Sequence, residues 1–184
     1  LEAGTGVDVA VIDTGVAPVD GLAGDHVLHG PDLSFEASTP EVAYLDTYGH
    51  GTHMAGIIAG RRSGHEGVAP GARIVSLKVA GHDGVTTVPQ VVAAIDWVVE
   101  HRNTDGLNIR VLNLSLGQAG VTTHHARSAA AHHHVAEVDG IGGQVEHLRH
   151  QLGAPGDGRV GGRITAGHGG PVAGLRQRPG RHRH

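Results

Sequence analysis

Residues 9–16 read VAVIDTGV, an apolar run that ends in an acid and a Thr-Gly turn. Val7 to Ile12 is a short β-branched run bounded by Gly6 and by Thr14-Gly15, which suits a strand buried on both faces. Two more runs have the same character: IVSLKV over Ile74–Val79 and IRVLNLSL over Ile109–Leu116. Between these two, residues 88–101 place Val91, Val92, Ile95, Val98 and Val99 at steps that fit one helix face. Pro89 sits in the first turn of that helix, where its missing N–H is harmless. After His50, Met54, Ile57 and Ile58 fall at helical spacing among Ala and Gly residues that permit close packing. Residues 17–47 hold Pro18, Pro31 and Pro40 and read as loop, with one short strand around His26–Leu28. Strands alternating with helices predict an α/β fold, a three-layer parallel sheet with helices on both faces.

The composition changes near residue 118. Phe35, Tyr44, Tyr48 and Trp97 are the only aromatic residues, and all precede it. Up to Gly117 there are 6 Lys and Arg against 14 Asp and Glu, a formal charge of −8. From Gln118 to His184 the counts are 8 and 4, or +4. Ile, Leu and Val make up only 11 of these last 67 residues, too few for a core. Residues 1–117 and 118–184 are therefore read as separate regions. The second is a His/Gly/Arg-rich tail expected to be largely disordered, apart from a helix around Gln144–Leu152.

The chemistry lies in the first region. A serine hydroxyl needs a histidine to take its proton, and the histidine needs an acid to fix its tautomer. Asp13 ends an apolar strand, where sites of parallel sheets lie. His50 stands between Gly49 and Gly51 at the start of a helix, in YGHGTHMAGIIAG over residues 48–60. His53 follows three residues later. Zinc sites on a helix more usually read HExxH, and no Glu is present here. No metal site is therefore assigned, and His53 is expected as a packed structural residue.

These segments resemble the Asp and His segments of the subtilisin-like serine peptidases, the subtilases. The 37 residues from Asp13 to His50 agree with the spacing of that family. GVAPGA over Gly67–Ala72, VAGHDGV over Val79–Val85 and LSLG over Leu114–Gly117 extend the likeness across residues 4–117. The resemblance implies Asp13 and His50 as catalytic residues. It implies Asp83, Gly84 and Val85 as one wall of a substrate cleft. Ser115, Leu116 and Gly117 would pair with an extended peptide as an added strand.

The family's third segment, a GTSMA run that carries the nucleophile, does not occur in these residues. Ser128 lies in ARSAA, without the flanking Gly-Thr and Met-Ala, and no Asn follows Asn113 to supply an oxyanion donor. The tail has the composition of out-of-frame translation of GC-rich coding sequence, so a frameshift near Gln118 is inferred. The chain then holds an incomplete domain. At least one apolar strand is expected to be left as an open edge.

The expected function is that of a serine-type endopeptidase by family, acting on polypeptides, with this chain itself inactive. The alternatives are a truncated peptide-binding remnant and a metal-binding protein acting through His124-His125 and His132-His133-His134. No cofactor is expected. Calcium sites occur in the family, but no D-x-D-x-D-G loop is present to hold one. The basic tail lacks the aromatics of a nucleic-acid site. The absence of cysteine excludes a disulfide framework, and no apolar run reaches membrane-spanning length. The resemblance implies a secreted or cell-envelope location. No signal segment is visible, and nothing in the sequence bears on oligomeric state.

Overall fold

A computed structural model describes residues 2–118, 133–137 and 163–166. The sheet is built around β1 (Asp8–Asp13), whose six residues are all buried. It lies between β5 (Arg73–Lys78) and β7 (Ile109–Gln118) and is parallel to both. β2 (Val27–Asp32) pairs parallel with the other side of β5 and follows a 3-10 turn at Gly24–His26. β1 and β5 lie within a residue of the predicted strands, while β7 runs on to Gln118 and β2 to Asp32. A small hairpin, β3 (Arg61–Arg62) with β4 (His65–Glu66), stands apart.

Helices cover both faces. Along β1, Ala10 and Ile12 pack into one cluster with Val91, Ala94, Ile95 and Val98 of α2 (Val88–His101). Val9 and Val11 pack into the other cluster with Ala55 and Ala59 of α1 (His50–Ala59). The two-residue period of the strand thus feeds both layers from one run of sequence. Full burial of each Ile or Leu in these clusters contributes roughly 1.5–3 kcal/mol. On α1 the buried stripe is Gly51, Ala55 and Ala59, while Ile57 is exposed. Small residues face the sheet because the helix lies close against β1. At the start of α2, Thr87 and Gln90 form a capping box ahead of the first turn that holds Pro89.

Two ion pairs, each with one fully buried member, brace the two ends of the sheet. At one end of β1, Arg73 donates through Nε and Nη2 to the two oxygens of buried Asp8, at 2.6 and 2.7 Å. At the other end, Lys78 is fully buried and its Nζ donates to Glu36 Oε2 at 2.7 Å and to the carbonyls of Val42 and Leu45. A buried ammonium is tolerated only with such partners. Burial alone would raise the Glu36 pKa. Hydrogen bonds from Lys78, from His82 and from Thr47 overcome this and hold it at about 2, against the usual 4.5.

A depressed carboxylate stabilises the fold above its unfolded pKa, and that contribution is lost as pH falls through the folded value. The window therefore runs from about pH 4.5 down to about 2. Solvent reaches one side of the carboxylate, so the contribution is screened to roughly 1–2 kcal/mol. Urea midpoints across this window should fall more steeply for the native chain than for Glu36→Gln. Parallel curves would remove Glu36 from the account.

Beyond β7 the parallel pattern stops. β8 (His133–Glu137) pairs antiparallel with Val111–Ser115, and β9 (Arg163–Ala166) pairs antiparallel with Leu116–Gln118. The other edge of β9 pairs with β6 (Val85–Thr87). The expected open edge therefore does not fall at β7. Unpaired backbone groups on a strand edge recruit whatever extended segment can reach them, and here two pieces of the tail do so. The expected helix at Gln144–Leu152, Ser128, His124, His125, His132 and the remainder of the expected disorder lie outside the described residues.

Candidate active site

Asp13 is the last residue of β1 and is completely buried. Its Oδ1 accepts the Thr14 N–H at 2.8 Å. His50 is the first residue of α1, entered through Gly49 at φ 102°. Its Nδ1 lies 2.8 and 2.9 Å from the two carboxylate oxygens of Asp13. A carboxylate can only accept, so Nδ1 carries the proton and the neutral ring presents Nε2 as an acceptor. The imidazole keeps 15% of its surface open to solvent while Asp13 keeps none. The hydrogen bond to Asp13 raises the His50 pKa above its usual 6.5. Burial opposes this, and the charges of Asp13 and Asp46 add to it. A base of this kind, oriented by a buried acid and reachable from one side, can take a proton from a nucleophile.

Asp46 holds the pair in place, and sequence reasoning missed it. Its Oδ1 accepts the Thr14 hydroxyl and the Gly49 N–H, both at 2.7 Å, and the Tyr48 N–H at 3.1 Å. Its Oδ2 accepts the N–H of Thr52 at 2.8 Å and the Thr52 hydroxyl. One carboxylate thus gathers the N–H groups of Tyr48 and Gly49 ahead of α1 and that of Thr52 in its first turn. Burial alone would raise the Asp46 pKa, but these hydrogen bonds outweigh it and hold it below its usual 3.8. Thr14 passes the restraint on, because its Oγ1 also accepts the Gly51 N–H at 2.9 Å. An acid three residues before Gly49-His50 was the available signal.

Gly51 permits the contact between helix and strand. A Cβ there would stand 2.1 Å from the Gly15 carbonyl oxygen and 3.2 Å from the Asp13 Cβ. Neither atom is the end of a flexible side chain. Gly51→Ala must push α1 away from β1 and pull His50 from Asp13. Its expected cost is about 3 kcal/mol, the upper end for overpacking. A urea midpoint within error of the native value would refute the close approach.

His53 is exposed, which corrects its expected packing. Helix positions turn by about 100° each, so His53 lies some 200° round from Gly51, away from the buried stripe.

The remaining predicted positions line two facing edges. Asp83 Oδ1 accepts the Val85 N–H at 3.0 Å, and Gly84 N–H donates to the Gly81 carbonyl at 2.9 Å, so Gly81–Val85 is a tight turn. Gly84 has φ 68° and abuts the Tyr48 ring, with which a Cβ would collide. Ser115 and Leu116 are buried in β7, with Ser115 Oγ 3.1 Å from Asn113 Nδ2. Gly117 is half-buried. The wall turn begins beside Asp13, whose carbonyl accepts the Val79 N–H at 2.8 Å. The acid–histidine pair and both edges therefore share the carboxyl end of the sheet.

Among the described residues, no cluster of His, Asp and Glu could hold a metal ion. Nor, among them, is any helix long and apolar enough to cross a membrane.

A buried acid and a histidine oriented by it thus stand at the carboxyl end of a parallel sheet. The chain belongs to the subtilase family, peptidase S8, whose family model matches residues 4–157. The match continues past Gly117, where the sequence motifs end. Among curated relatives, the Minor extracellular protease Epr of Bacillus subtilis is 32% identical over 62% of this chain and 16% of its own length. The Subtilisin-like protease 9 of Arthroderma otae is 32% identical over 71% of this chain and 31% of its own. The Thermostable alkaline protease of Halalkalibacterium halodurans is 37% identical over 62% and 28%. The chain thus spans less than a third of the length of each. Among solved structures, a cold adapted subtilisin-like serine proteinase is similar at 33% identity over 54% of this chain and 34% of that one, with a TM-score of 0.45.

Proposed function

We propose that this chain carries the acid–base half of a secreted serine endopeptidase that cuts polypeptides at extended segments. The observation that carries this is the hydrogen-bonded pair of buried Asp13 and partly exposed His50. In the proposed reaction His50 is the general base, and Asp13 orients it and stabilises the imidazolium. Asp83, Gly84 and Val85 form one wall of the cleft, and Ser115, Leu116 and Gly117 form the strand that pairs with substrate. The reaction needs no cofactor. The nucleophile and the oxyanion donor belong to a segment that these residues do not include, so the chain by itself is inactive. Secretion is supported by the family and by the name of the Epr relative.

The test is to restore a GTSMA segment in frame after Gly117 and treat the folded product with a fluorophosphonate probe. One serine should be labelled, and His50→Ala should abolish the labelling. A folded product that takes no label from the probe would overturn the proposal.

A further inference from the structure

The two edges of the cleft are not empty. β9, Arg163–Ala166, lies between them and is antiparallel to both. Its register sets Thr165 opposite Val85 on one side and Gly117 on the other, and Ala166 opposite Leu116. The Ala166 N–H donates to the Gly84 carbonyl at 2.8 Å. Ala166 is 2% exposed and packs in the cluster that α2 covers. Strands pair at about 4.8 Å, so β6 and β7 stand roughly two spacings apart, room for one extended chain. The backbone groups that a bound peptide would use are those that β9 uses.

We infer that Arg163–Ala166 is an internal occupant of the peptide cleft, a self-inserted strand that closes the site to other peptides. The inference rests on the proposed reading of these edges as a peptide cleft. Two physical effects favour insertion. The tail carries +4 against −8 for residues 1–117, so the two regions attract. A segment of the same chain also competes at about millimolar effective concentration. An outside peptide must displace it, which weakens the apparent affinity.

The chain has no cysteine, which makes the test direct. Paired residues in antiparallel strands have Cα atoms about 4.5–5.5 Å apart, within disulfide reach. In the full chain, V85C/T165C should form an intramolecular disulfide under mild oxidation. V85C/I164C, one position out of register on a strand whose faces alternate, should form far less. Equal yields from the two pairs would overturn self-insertion. A second measurement uses the unmodified chain: its Ala166 amide should exchange with deuterium far more slowly than in a free peptide, and exchange at the free rate would overturn the inference.

The functional arm uses fluorescein-labelled Arg-Ile-Thr-Ala peptide. V85C/T165C should bind it at least about tenfold more weakly when oxidised than when reduced, and Ala166→Pro should bind it more tightly than the native chain. If the peptide binds while the cross-link and the protection are absent, self-insertion fails and the peptide cleft stands. If the cross-link forms but no variant binds peptide in any state, the cleft reading fails and the inference falls with it.

Discussion

In the enzyme completed by its serine segment, Asp13→Ala and His50→Ala should each lower kcat by about 10⁴-fold or more, with much smaller changes in KM. The magnitude follows from what the pair does. In subtilisin, removing the acid alone costs about 3 × 10⁴ in kcat, and removing the histidine about 2 × 10⁶. In the proposed reaction both residues act mainly in the transition state, where the imidazolium forms beside the carboxylate, so substrate binding should be largely spared. His53→Ala should leave kcat near its normal value, because His53 is exposed on the far side of α1.

The pH profile gives an independent check. His50 must be neutral to accept a proton, and its pKa lies above 6.5 because of Asp13. The acid limb of kcat/KM should therefore fall above pH 6.5, and Asp13→Asn should move it down. A variant lacking His50 that retained normal kcat, with activity lost instead in His53→Ala, would reverse the assignment of the base.

Purified residues 1–184 should show no serine-peptidase turnover. The loss in subtilisin on removing the serine alone is about 2 × 10⁶ in kcat, and here the asparagine donor of the oxyanion hole is absent from the later sequence as well. Each such donor is worth about 10²–10³ in rate. An oriented base with nothing to deprotonate supplies no acceleration. Casein cleavage by the pure chain that phenylmethylsulfonyl fluoride blocks would refute this. Ser128, the first serine after Ser115, would then need examination by substitution.

The parts of the fold that were legible are those where one local rule is enough. Val9–Ile12 could be read as a central strand because burial on both faces leaves an unbroken apolar run. The helix 88–101 could be read from Val91, Ile95 and Val98. Asp13 and His50 could be paired because motif and spacing agree. The structure contains other features that no local rule encodes. Asp46 draws its importance from donors at Thr14, Gly49 and Thr52, which converge only after folding. Lys78 looks like the polar end of a strand, yet it is buried, because Glu36 and two loop carbonyls reach it from more than 30 residues away. β9 could not be read at all. Its four residues lie in a tail poor in strand formers, and its partners are some 45 to 80 residues earlier. The packing expected for His53 failed because an Ala and Gly stripe, rather than the larger side chains, faces the sheet.

The position of β1 has a consequence during synthesis. Of the described strands it is synthesised first, and it ends between two others. Its second neighbour is complete only at Gln118, 105 residues after Asp13. At about 5–20 residues per second, the nascent chain carries Val9–Ile12 without one of its partners for roughly 5–20 s. Throughout that interval the most apolar segment of the nascent protein is available to chaperones and to neighbouring polysomal chains. The yield of soluble protein should therefore depend on how quickly residues 14–118 are translated.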